Sequence, residues 1–272
     1  NGYQITGPSN KGVGIENLPE GVNNVITNFS MISEFYKGIY SDGDSVSINN
    51  NMVRNSTAVG IQSNGKFSII HSNFVSETGD VCIYSFGDNS TVYNNYVFFG
   101  RNGILNHGNY ANISLNYALY NTRYDIRAGG AHVGPEPGKE GKGYYAIVKE
   151  NMAVMNGYIG FYNWNPHGII QDNIAIQNNV AGIDVSAHSN NTTLSGNLIA
   201  VHPIGIQITD QAIDLILDHN YVLGHENADL YIKSNNGFGN GAIFDNYFGS
   251  NQNLNGTGHI ENFVWTNPKG PT

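Results

Sequence analysis

Residues Gly160 to Asn179 read GFYNWNPHGIIQDNIAIQNN. Two fixed points stand out: Phe161, an apolar residue after a glycine, and Asn173, which leads the apolar pair Ile174-Ala175. Both recur ten times. The first column runs Ile15, Ile39, Ile61, Ile83, Ile104, Ile126, Phe161, Ile183, Ile206 and Leu230. The second runs Asn28, Asn51, Asn73, Asn95, Asn116, Asn151, Asn173, Asn197, Asn220 and Asn246. Most steps are 21 to 24 residues. Short β-rich runs at that period, separated by Asn and Gly turns and without helical 3.6 spacing, indicate a solenoid in which each repeat is one coil. Leucine-rich repeats share the period but need Leu at several fixed positions, which this chain lacks.

The plain repeat, seen in Gly60-Ile61 and Asn73-Phe74-Val75, resembles the right-handed parallel β-helix of pectin-lyase-like proteins over roughly residues 12 to 250. The resemblance implies an all-β chain, a single-stranded parallel β-helix of about ten coils. It is expected to form one domain over 1–272, with irregular first coils (1–37), an insertion loop (128–144) and a C-terminal tail (251–272). It does not imply one activity, because β-helices carry lyases, hydrolases, epimerases, phage adhesins and inert surface modules. The repeated Asn is read as structural: Asn tolerates the left-handed conformation at a sharp corner, and stacked amides can bond from coil to coil.

Composition agrees. A solenoid grows by adding coils, so 272 residues fit one domain. At roughly 4.8 Å per coil, ten coils make a rod on the order of 50 Å long. Charged residues are only 12% of the chain, against 34 Gly and 17 Tyr, as tight corners require. No apolar run approaches the roughly 20 residues of a membrane span. The single cysteine, Cys82, takes the small-residue slot before Ile83 and is expected to be a buried thiol. A start at Asn1-Gly2-Tyr3 is expected of a mature secreted or cell-surface form, or of an excised piece. Solenoid ends need covers, so further domains or subunits are expected to cap them.

The Asn-to-Ile interval is always 9 to 11 residues, whereas Ile-to-Asn is mostly 12 but stretches to 25 between Ile126 and Asn151. The large variation therefore falls on one edge of the rod, which in repeat proteins often marks the working face. The insertion reads AGGAHVGPEPGKEGKGY and is expected either to cover the adjoining sheet or to be a passive loop. Residues 101 to 149 carry a local balance of +3 within a chain of −9. A local cationic patch suits an anionic ligand better than nucleic acid, which selects a broad basic surface.

If the Ile column points inward, the next residue points out. That row runs Tyr40, Gln62, Tyr84, Leu105, Arg127, Tyr162, Asp184, Gln207 and Tyr231. Two positions on come His107 and Trp164, with His132, His167 and His188 on the same edge. Taken singly, turn histidines are tolerated polar residues; clustered with Arg127 they form a candidate site. Flat Tyr and Trp faces suit sugar rings, Arg pairs with carboxylates in fork geometry, and His and Tyr move protons.

The chemistry expected is elimination or epimerisation at a uronic acid, making the protein a polysaccharide lyase or epimerase. Arg127 neutralises the carboxylate, His167 and Tyr162 share acid and base roles, and His188 supports them. Tyr84, His107, His132, Tyr144, Tyr145, Trp164 and Asp184 are the expected substrate contacts. Asn165-Pro166-His167 resembles the Asp-Pro-His motif of β-helical alginate C5-epimerases, with Asn at the acidic position. No Asp-Asp pair occurs, which argues against polygalacturonase-like hydrolysis. No cofactor or metal site is expected; calcium is left open by Asp184 and Asp210, one coil apart. Metal binding by the histidines is a lesser alternative, since some plain-repeat β-helices are copper-associated. The partner expected is an acidic polysaccharide, with no nucleic acid and no membrane span. The rival class is a non-catalytic glycan-binding, adhesion or surface module.

Overall fold

The computed structural model describes residues 3–8, 11–129, 143–186, 189–209, 212–233, 241–249 and 265–266. Its strands form three parallel sheets, one wall each of a β-helix of about ten coils. Sheet I begins with Tyr3–Thr6 and has 11 strands, sheet II begins with Val13–Asn17 and has 10, and sheet III begins with Val25–Thr27 and has 11. Coils are numbered here by their sheet II strand, so Tyr124–Gly129 lies in coil 6 and Ile159–Trp164 in coil 7.

The register stacks like on like. Ile39, Ile61, Ile83, Ile104, Ile126, Phe161, Ile183 and Ile206 lie directly over one another along sheet II. All are at most 1% exposed. Inward columns from the other two sheets, such as Val53-Val75-Val97 and Ile48-Ile70-Val92, complete a continuous apolar core. Each coil is too thin to bury its own apolar side chains, and stacking supplies the missing cover.

Sharp corners close each coil. Among the described residues, twenty-six non-glycine residues have φ between 51 and 64°, and most form three stacked columns at the sheet junctions. This corrects the reading of the Asn column. The left-handed residues are Asn50, Ser72, Asn94, Leu115, Glu150 and Asp172, each one position before a ladder Asn. Asn28 belongs to that corner column (φ 62°), and Phe29 holds the place in line with Asn51. The ladder therefore runs from Asn51 to Asn246. In each step the Nδ2 donates to the Oδ1 of the next Asn, as from Asn151 to Asn173 at 3.0 Å and from Asn173 to Asn197 at 3.1 Å. The backbone N–H of the lower Asn donates to the same oxygen, and the Nδ2 also donates to a buried carbonyl, as Asn173 does to Val148 at 2.8 Å. The ladder satisfies polar backbone where the chain turns inside, where water cannot reach.

A second buried column follows the corner between sheets I and II: Ser56, Thr78, Gly100, Asn121, Asn156, Asn178, His202 and His225. Gly100 makes room for Cys82, since a Cβ there would sit 2.7 Å from the Cys82 Sγ. Burial pushes that thiol up to about 12, so it is protonated and inert at neutral pH. Asp125 occupies the slot that is glycine in most coils; its Oδ1 accepts from Asn121 Nδ2 at 2.6 Å, and burial raises its pKa well above the usual value.

His202 and His225 end this column as a stacked pair, ring centroids 5.4 Å apart. The Nδ1 of His202 accepts from the Asn178 N–H at 2.8 Å, and its Nε2 meets the Ala175 carbonyl at 3.0 Å. Burial lowers His202 to about 4 and also lowers His225. Both imidazoles fold as neutral groups, so their contribution is complete above about pH 6.5, the ordinary His value. It is lost as pH falls below that value, for His202 down to about 4, because the unfolded chain takes the protons first. Asn fills the equivalent place in earlier coils. His202→Asn/His225→Asn is therefore expected to lose less stability than the parent between pH 6.5 and 4.5, measured as the urea midpoint at each pH. Each imidazole contributes up to about 1.4 kcal/mol per pH unit within that window.

Candidate functional site on the outer face of sheet II

Arg127 follows the inward Ile126 and so points outward, between Leu105 and Tyr162 in register. Its guanidinium carbon lies 5.2 Å from the Tyr162 ring centre, 5.3 Å from that of Trp164 and 5.8 Å from that of Tyr124. Only 9% of the residue is exposed. Burial lowers its pKa and the nearby phenols Tyr162, Tyr124 and Tyr84 raise it, but a guanidinium stays charged at neutral pH. Trp164 pairs in register with Gly129, whose φ is +78°; a Cβ at Gly129 would meet the Trp164 carbonyl at 2.3 Å. The glycine lets these strand ends come together.

Tyr162 packs on Tyr124 with centroids 4.9 Å apart. Burial raises its phenol, Asp184 adds to this, and a hydrogen bond with Ser186 and the charge on Arg127 oppose it. Asp184, one coil on, accepts from Gln207 Nε2 at 3.2 Å. At the other end Tyr84 Oη and His107 Nδ1 are 3.2 Å apart, their rings edge to face at 5.1 Å, with Phe86 beside both. Burial pushes Tyr84 up to about 12 despite Arg127. Both phenols are thus protonated at neutral pH and can act as donors.

The structure therefore brings Tyr84, His107, Arg127, Tyr162, Trp164 and Asp184 onto one face over coils 4 to 8. His167 and Tyr145 lie elsewhere, at the left-handed corner between sheets II and III. There the exposed His167 ring stacks on Tyr145 at 4.7 Å, and Tyr145 on Tyr110 at 5.2 Å, forming a rail of three parallel rings. Tyr144 sits beside it, its N–H donating to Asn109 Oδ1 at 3.1 Å. Asn165, the first residue of the Asn-Pro-His run, is fully buried; its N–H donates to Ser189 Oγ at 3.3 Å. The run thus spans the wall, one end inside and His167 outside. His132, His188, Asp210 and the insertion over 130–142 lie outside the described residues.

Sequence reasoning missed Tyr124 as a member of this face; Gln207, which alternation had placed on the outward row, lies there and bonds Asp184. Tyr124 lies three residues before Arg127, and an irregular step at Asp125 returns it to the outer surface, so strict alternation hides it. The signal that could have found it is the same spacing in Lys37 and Tyr40, where a cation also sits over a ring at 4.3 Å.

Among the described residues one group of three has metal-ligating atoms within 4.8 Å of one another: Asp218, His219 and Asp245, at the corner between sheets III and I. Asp218 and His219 are in direct contact. Carboxylate and imidazole suit a divalent ion such as Cu(II); Cu(I) prefers sulfur donors, and none belongs to this group. The His202 and His225 ring nitrogens are engaged by backbone and do not offer such a site.

Among solved structures, a mutant tailspike protein of E. coli bacteriophage HK620 in complex with a pentasaccharide matches at a TM-score of 0.54 and 9% identity, over 86% of this chain and 48% of that one. The present chain thus spans about half the length of that protein. The periplasmic alginate epimerase AlgG, as a double mutant, matches at a TM-score of 0.50 and 12% identity, over 89% of this chain and 75% of that one. At such identities these likenesses show the fold alone. No curated protein matches. The family described as "Periplasmic copper-binding protein (NosD)" matches residues 71–272. A match over so much of the sequence, on a chain that folds as this β-helix, makes it a member of the NosD family.

Proposed function

We infer that the outer face of sheet II binds an acidic polysaccharide and acts on it at the uronate, as a lyase or an epimerase. The observation that carries this is Arg127: a guanidinium held among three aromatic rings, with the protonated phenols of Tyr162 on the next row and of Tyr84 two rows before. Low-dielectric surroundings strengthen its pairing with a carboxylate, and the rings fix its plane for a bidentate contact. Neutralising the carboxylate makes the C5 proton acidic. His107, directly or through Tyr84, is the group that takes it; Tyr162 is the donor for the leaving oxygen or the opposite face. The Tyr110-Tyr145-His167 rail lies along the polymer rather than at the reacting carbon. The similarity to a saccharide-bound tailspike and an alginate epimerase agrees with a glycan partner. The family description and the printed compartment of that epimerase support a periplasmic or extracellular location. The test is a panel of uronate-containing and neutral polysaccharides, read as binding and as ultraviolet absorbance of unsaturated uronates. Binding of acidic members with absorbance rise or C5 inversion is expected; binding without either leaves a glycan-binding module, and no binding removes both.

The family supports a second reading, copper binding, and the residues that would hold the ion are Asp218, His219 and Asp245. Cu(II) titrated into the protein is expected to give an electron paramagnetic resonance signal with nitrogen coupling that His219→Ala removes. An unchanged signal in the variant rules this cluster out.

A further inference from the structure

We propose that the outer face of sheet I is the contact between two copies of this chain, related by a two-fold axis across antiparallel rods. Six successive strands of this sheet, in coils 5 to 10, read YVF, YAL, MAV, IAI, LIA and YVL. The middle residue of each points inward, and both outward columns are apolar throughout. Sheets II and III place Arg127, Asp184, Lys149 and Asp218 at comparable positions. The left-handed corner beside sheet I continues the pattern with Phe99, Tyr120, Met155 and Val201, interrupted by Gln177 between the last two.

The area suffices for a stable dimer. Phe74, Tyr96, Tyr117, Leu198 and Tyr221, with the four corner residues, are 37 to 57% exposed. Aromatic side chains carry about 150–250 Å² each, so these nine leave roughly 800 Å² uncovered. A standard interface takes about 800 Å² from each partner, and monomers rarely expose a contiguous apolar patch of this size. Charge selects the same face. With a net −9, two copies repel through most surfaces. Here the two outward strand columns carry no charged side chain; Arg54 and Glu77 at the N-terminal end of the strip pair at 2.6 Å, and Glu150 and Asp172 stand at the flanking corner, two residues before Met152 and Ile174.

Shape supplies the orientation. A groove of about 540 Å³ lies at the N-terminal end of the strip, lined by Met52, Phe74, Phe98, Phe99 and Tyr120 and bounded by Arg54 and Glu77. The most exposed ring of the strip strands, Tyr221 at 55%, lies at the C-terminal end. An axis between the Met152 and Ile174 strands brings the partner's Tyr221 to this groove and Tyr221 to the groove of the partner. The same contact is made twice, as an isologous interface requires.

Sedimentation equilibrium of the whole chain is expected to give twice the monomer mass at micromolar concentration. Tyr117→Glu and Tyr221→Glu are expected to halve it, while Thr193→Glu on sheet III leaves it unchanged. Because Cys82 is buried, Val154→Cys provides one reactive thiol near the axis and is expected to give a covalent dimer with a short bismaleimide. A monomer at all concentrations, a dimer that survives both sheet I variants, or no cross-linked product overturns the proposal.

Discussion

Replacing Arg127 with Ala is expected to weaken binding of an acidic oligosaccharide on the order of 100-fold, about 3 kcal/mol, while a neutral oligosaccharide binds as before. The magnitude follows from a charge-assisted, two-point contact in a site where Arg127 is 9% exposed and little water competes. Arg127→Lys keeps the charge but loses the fork and the stacking on Tyr162 and Trp164, so it is expected to fall between the two. Isothermal titration with the paired acidic and neutral ligands checks this. Equal loss for both ligands would show that Arg127 holds the aromatic rings in place rather than reading the carboxylate.

The second large effect concerns the fold. Asn173→Ala is expected to cost about 3–5 kcal/mol, because each buried polar group left without a partner costs about 1–3 kcal/mol. The Asn173 amide bonds Asn151 below, through both its backbone N–H and its Nδ2, Asn197 above and the Val148 carbonyl alongside. Removing it strands the Asn151 N–H and the Val148 C=O in the interior. Gln171→Ala, two residues earlier on the exposed face of sheet III, is expected to change stability by less than about 0.5 kcal/mol. Urea midpoints of the two variants separate the readings. Similar midpoints would mean that the ladder is decoration on an apolar core.

The architecture was legible because one physical constraint repeats. Stacking puts the same environment above itself every coil, so the Ile column of the sequence is the Ile column of sheet II. Ladder amides fail differently. Asn28 and Asn51 look alike in sequence, yet one makes a left-handed corner and the other the buried bond, because the first coil enters the ladder one residue late at Phe29. The second ladder was invisible. Its role, to accept a backbone N–H from the coil before, is met by Asn in some coils and by an imidazole nitrogen in others, so no residue type repeats.

The candidate site was legible where alternation holds and hidden where it breaks. Counting outward from Ile126 and Phe161 finds Arg127 and Tyr162; the irregular step at Asp125 conceals Tyr124. Histidine clustering along one edge merged two places that the walls keep apart. His107 pairs with Tyr84 on sheet II, whereas His167 stacks on Tyr145 around the corner. Linear spacing records which coil a side chain belongs to, but a single left-handed residue decides which wall it faces.

The measurement closest to the central claim follows the C5 hydrogen of a uronate polymer during incubation with the protein in heavy water. Lyase and epimerase chemistry both begin by removing that hydrogen. The account predicts its loss, seen by nuclear magnetic resonance as deuterium at C5 or as a new double bond, with Arg127→Ala abolishing the signal. Retention of the C5 hydrogen in every acidic polysaccharide that the protein binds would contradict it, and would leave the face of sheet II a binding surface without chemistry.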